Sequence, residues 1–101
     1  MTYGVVVNVS IPVEAYDALH HKLLELTGAE VEGLLAHVGR ATDTGFQVIE
    51  VWDSKEQSDR YNQEVVWPLA AELSAGQPMP EQTTEEFGVR GLVIPGAGIA
   101  L

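Results

Sequence analysis

The sequence predicts an α+β fold in the order β-α-β-β-α-β, and three observations carry that expectation. Four short runs with strand patterning, the first of them Val-rich, are bounded by turn signals, and two stretches with apolar residues at helical spacing fall among them. A tight-turn sequence, Thr42-Asp43-Thr44-Gly45, joins the second and third strands. This order is the split βαβ or ferredoxin-like plan, a four-stranded antiparallel sheet with both helices on one face.

The elements follow in turn. From about Tyr3 to Ser10, Val5, Val7 and Val9 lie on one side of a strand at period two, with Val6 and Asn8 on the other. Pro12 suits only the first turn of a helix, where its missing N–H is not needed. Tyr16, Leu19, Leu23 and Leu26 then recur at helical spacing until Thr27-Gly28 stops the run. Glu30 to Gly33 is a polar connection, Leu34 to Arg40 the second strand and Phe46 to Trp52 the third. Ser54 and Gln57 have capping-box spacing at the head of a second helix, whose Tyr61, Val65, Leu69 and Leu73 share one face. Pro68 cannot donate to the carbonyl four residues back, so this helix should kink or break near Trp67. Ser74 to Thr84 reads as a loop, Glu86 to Ile94 as the last strand, and Pro95-Gly96 ends it.

Composition bounds the function. The 101 residues suit one domain, spanning 1–101, and are too few for two. Five Lys and Arg against 15 Asp and Glu give a net charge of −10, which repels nucleic-acid backbones and anionic membrane surfaces. No cysteine is present, so disulfides, thiol nucleophiles and thiolate metal sites are excluded. The first residues lack a basic stretch, and no apolar run approaches the roughly 20 residues that span a bilayer, so a cytoplasmic location is expected. A sheet this apolar should not leave its uncovered face in water, and a second copy of the chain is the simplest cover.

Three features resemble the dimeric α+β barrel superfamily, in particular its antibiotic-biosynthesis-monooxygenase-like branch. They are the Val-rich first strand with Asn8 near its end, the hairpin leading through Val51-Trp52-Asp53-Ser54 into a capped helix, and the closing run Gly88-Val89-Arg90-Gly91-Leu92-Val93-Ile94-Pro95. The resemblance implies a homodimer whose sheets join through their edges and enclose a mostly apolar cavity on each open sheet face. It also implies a choice among cofactor-independent monooxygenases of aromatic polyketides, haem-degrading enzymes, small isomerases and cyclases. Aligned on Val51-Trp52, the haem degraders' helical Trp falls at Tyr61 and their haem-ligating His at Ala71, so the axial ligand is missing and no cofactor is expected.

Candidate chemistry comes from the hairpin. If Thr42 pairs with Gly45, His37 lies opposite Glu50, on one face with Leu35, Gly39, Val48 and Trp52. The other face carries Ala36, Val38, Ile49 and Val51, is purely apolar, and should pack under the helices, leaving the His37 face to point into the barrel. An imidazole oriented by a carboxylate is a proton-transfer pair, and it serves equally as a structural or interface hydrogen bond. Asn8 should line the same cavity and could hold an enolate oxygen, or bond backbone at a strand end. Trp52, Tyr61 and Trp67 could wall a planar ligand or be core, and Arg90, sharing a strand face with Gly88 and Leu92, could anchor an anion or form a surface pair. Asp17, His21 and Glu25 mimic a metal stripe but read as a solvated helix face. These residues lead to a small apolar ligand and, for an enzyme, cofactor-independent proton abstraction followed by oxygenation, cyclisation or isomerisation. The rival is a non-catalytic ligand-binding or structural homodimer.

Overall fold

The computed structural model describes residues 2–28, 30–78 and 80–101. Strand β1 (Tyr3–Val9) leads to helix α1 (Val13–Thr27), then to the hairpin of β2 (Leu34–Ala41) and β3 (Phe46–Trp52). Helix α2 (Lys55–Tyr61) runs through a π-helical turn, Asn62–Val66, into α3 (Trp67–Leu73). Strand β4 (Gln82–Gly88) follows, and a two-stranded hairpin of β5 (Val93–Ile94) and β6 (Ile99–Ala100) closes the chain. The main sheet is antiparallel in the order β2-β3-β1-β4, the ferredoxin-like arrangement that the sequence predicts.

The local signals explain the boundaries. Pro12 stands just outside α1 as its N-cap, and Gly28 ends that helix with a left-handed φ of 62°, its N–H bonding back to Leu24. At the head of α2, the Ser54 hydroxyl accepts from the Gln57 N–H, as the capping-box spacing requires. Thr42 and Gly45 exchange backbone hydrogen bonds across the hairpin turn, and this sets His37 opposite Glu50. A bulge between Leu34 and Ala36 interrupts the β2 register.

Four expectations about single residues and elements are corrected. Pro68 does not break the second helix: the backbone stays helical and absorbs the missing donor in the π turn just before it. Leu26 is exposed, because α1 lays Tyr16, Leu19, His20 and Leu23 toward the protein instead. The final strand starts earlier and ends earlier than Glu86 to Ile94, since it pairs along β1 from Gln82↔Val9 to Gly88↔Tyr3 and β1 offers no further partner. Arg90 therefore lies beyond the strand.

The largest correction concerns the sheet faces. Register places Val5, Val7 and Val9 beside Glu50, Val48 and Phe46, so these residues and Trp52 share one face. That face carries the bulk, and the helices cover it: Tyr61 of α2 packs on Trp52, which is fully buried, and Tyr16 of α1 lies over His37. The hairpin face that carries Ala36, Val38, Ile49 and Val51, and with them Arg40 and Gln47, is the open one, and Val38 on it is 53% exposed.

Candidate functional site

Because His37 and Glu50 point toward the helices, the site is built between sheet and helix. His37 Nδ1 stands 2.6 Å from Glu50 Oε2, and Trp52 Nε1 donates to the other carboxylate oxygen, Oε1, at 3.1 Å. A carboxylate can only accept, so Nδ1 carries the hydrogen and Nε2 is left to accept in the neutral imidazole. Tyr16 meets that Nε2 at 2.7 Å with its hydroxyl. The result is a continuous chain Tyr16–His37–Glu50–Trp52 drawn from α1, β2 and β3. The side chains of His37 and Glu50 retain 23% and 15% of their exposure, so the pair is largely desolvated yet open to water on one side.

Aromatic rings frame this chain. His20, one helical turn after Tyr16, stacks on His37 with centroids 5.3 Å apart and planes 3° apart. Tyr16 stacks on His20 at 5.2 Å and tilts against Phe46 at 5.4 Å. Burial, and then the nearby Glu50 and Asp17 charges, push the Tyr16 phenol above its ordinary pKa. Tyr61 is shifted upward in the same way, by burial first and by Glu50 second. Tyr16 therefore stays a neutral donor at neutral pH, able to pass a proton to Nε2 and to take one in its place.

The structure separates the sequence's other candidates from this site. Asn8 lies on the open face, exposed, where Arg40 Nε donates to Gln47 Oε1 at 2.8 Å and Gln47 Nε2 donates to Asn8 Oδ1 at 3.0 Å. It shares no cavity with His37, because one strand residue of offset reverses the face. Trp52 and Tyr61 do meet, with centroids 5.7 Å apart, but Trp67 starts α3 half-exposed and away from them. Arg90 is exposed in the segment after β4. Asp17, His21 and Glu25 do form an open helix face, with His21 3.2 Å from Glu25, and no metal-holding group is found among the described residues.

Tyr16 and His20 are the residues the sequence reading missed. Their spacing of four, with Tyr16 in the apolar stripe, puts an imidazole beside a phenol on the inward face of α1. Nearby, a cleft of about 120 Å³ opens between the α1–β2 connection and α2, with Gln57, Arg60 and Tyr61 in its wall. A second cleft, of about 510 Å³, lies where β1 and β4 meet the start of α2, among Tyr3, Lys55, Glu86 and Phe87.

Fold and site together define a ferredoxin-like α+β protein with a hydrogen-bonded Tyr–His–Glu chain between sheet and helices. No family model matches the chain, and no curated protein matches it in sequence. Among solved structures it is similar to a Nitrosomonas europaea protein provisionally assigned as an antibiotic biosynthesis monooxygenase, at 12% identity and a TM-score of 0.69, over 88% of this chain and 90% of that one. It is similar also to SnoaB, a cofactor-independent oxygenase from Streptomyces nogalater, at 14% identity and a TM-score of 0.57, over 93% and 95%. A dimeric protein of unknown function from Bacteroides fragilis matches at 12% identity and a TM-score of 0.59, over 87% and 96%. At such identities the likeness establishes the ferredoxin-like fold alone. No helix in the described residues is long and apolar enough to cross a membrane.

Proposed function

We propose that this protein is a homodimeric, cofactor-independent enzyme that removes a proton from a small, largely apolar carbonyl or ring compound held between helix α1 and the sheet. The observation that carries the reading is the unbroken hydrogen-bond chain from Tyr16 to Trp52. In the reacting step the Tyr16 oxygen accepts the substrate's proton as its own passes to His37 Nε2, and the electron pair of the broken C–H bond stays on the substrate as an enolate. The imidazolium that forms already faces Glu50, and Trp52 holds that carboxylate in place. The enolate then goes on to oxygenation by dioxygen, cyclisation or isomerisation, according to the substrate. SnoaB, a cofactor-independent oxygenase with this fold, supports the first of these.

Anthrone, a tricyclic ketone with an acidic methylene, is a suitable probe. Exchange of its methylene protons for solvent deuterium, followed by NMR, reports the proposed step without requiring any later chemistry. Exchange accelerated by the protein and reduced by orders of magnitude in His37→Ala supports the reading. Equal exchange with parent and His37→Ala protein removes His37 from the mechanism and leaves a binding or structural role.

A further inference from the structure

We infer that Gly39 is a positioning residue, and that its missing side chain forms the slot through which Tyr16 reaches His37. The inference rests on the proton-relay reading for its catalytic meaning, but its geometry stands apart from turnover. Gly39 sits in the interior of β2, paired with Val48 of β3. A glycine there weakens a strand, because it adds backbone entropy and packs nothing. Its backbone does not require one either, since Gly39 is not among the residues with positive φ. What the position requires is space.

A β-carbon at Gly39 would overlap Tyr16 Cζ and its hydroxyl oxygen, and would stand 2.7 Å from Cε1. These are the atoms that carry the hydroxyl to His37 Nε2 at 2.7 Å. The hydroxyl end of the phenol therefore lies against the bare backbone at Gly39, with Phe46 tilted against the ring at 5.4 Å and His20 stacked at 5.2 Å. His37, two residues before Gly39 on the same strand face, closes the end. A methyl group in the floor would lift the ring by about an ångström or more, stretching and misaligning the hydroxyl's bond to Nε2. Gly4 also lies beneath an aromatic ring, that of Phe87, but the two are direct cross-strand partners on the open face. Tyr16 comes from a helix, so its slot fixes how α1 presents a functional group to the sheet.

The test is Gly39→Ala, read by NMR on protein carrying labelled tyrosine Cζ and histidine nitrogens. The Tyr16 ring, freed from burial and from Glu50, should titrate nearer the ordinary value of about 10, and His37 Nε2 should lose the signature of its hydrogen bond. Gly39→Ala should lower the melting temperature of the parent, yet leave it unchanged or raised in a Tyr16→Ala background, where nothing fills the slot. If Gly39→Ala alone does not fold, a double variant that folds supports the slot just as directly, and a double variant that also fails to fold overturns it. The inference is likewise overturned by an unchanged Tyr16 titration with the His37 bond intact. It falls too if the substitution lowers the melting temperature alike in both backgrounds, because the glycine would then serve the strand itself. Failure of the relay reading shows elsewhere, as anthrone exchange that survives in Tyr16→Phe, and leaves these measurements unaffected.

Discussion

At the scale of single residues, the proposed function turns on one hydroxyl meeting one imidazole. Tyr16→Phe keeps the ring over Gly39 and removes only the oxygen that bonds Nε2. Anthrone exchange should then fall about a hundredfold, while the melting temperature shifts little, because positioned acid–base groups contribute on that order. A variant as active as the parent would show that His37 works alone. The His37–Glu50 pairing was legible in the sequence, since the turn residues Thr42 to Gly45 set the hairpin register. The face it occupies was not, because the hairpin by itself does not decide it. Ala36, Val38, Ile49 and Val51 are apolar but slight, whereas Phe46 and Trp52 share the parity of Glu50 and carry more buried area. Adding Val5, Val7 and Val9 from β1 tips the balance to the His37 side. Tyr16 was hidden for another reason: no periodicity states which member of an inward stripe finds a polar partner.

At the scale of elements, Pro68 shapes the helix that faces the site. Its nitrogen has no hydrogen to give the Glu64 carbonyl, and the chain responds by widening Asn62–Val66 into a π turn. The extra residue in that turn lies between Tyr61, which packs on Trp52, and Leu69, which is buried, so both keep their inward positions. Sequence reasoning located the perturbation correctly but not its form, since a kink and a π turn both relieve the same missing bond. Restoring the donor separates the cause from the packing. Pro68→Ala should return residues 62–66 to i→i+4 bonding, seen in through-hydrogen-bond couplings by NMR. A π pattern that persists in this variant would assign the turn to the seating of Tyr61 and Leu69.

At the scale of the whole molecule, two properties follow from where burial falls. Tyr3, Tyr16 and Tyr61 all have ionisation pushed upward, each by burial first. For a group whose pKa is raised on folding, the unfolded chain releases its proton first, so stability is full below about pH 10 and is lost as pH rises beyond it. Urea midpoints should therefore decline above pH 10, and less steeply in Tyr16→Phe; a flat alkaline limb would contradict the burial of these phenols. The second property is the open sheet face. Val6 and Ile49 lie on it, with Val51 already buried, beside Val38 and Phe87, two large apolar side chains that stay exposed. Helices α1 and α2 pack on the opposite side of the sheet. Two such faces brought together would bury both sets of side chains, and at roughly 25 cal/mol per Å² a patch of a few hundred Å² from each copy contributes several kcal/mol before association costs. The polar row Arg40–Gln47–Asn8 runs along one end of the face, where Arg40 donates to Gln47 and Gln47 to Asn8. A carboxylate at the centre of such a contact would be buried without a partner. Val38→Glu should therefore sediment as a monomer at micromolar concentration where the parent sediments as a dimer, with the far-ultraviolet spectrum unchanged. A parent that is monomeric under those conditions would refute the dimer itself, and a dimeric Val38→Glu would move the interface to the free edges of β2 and β4.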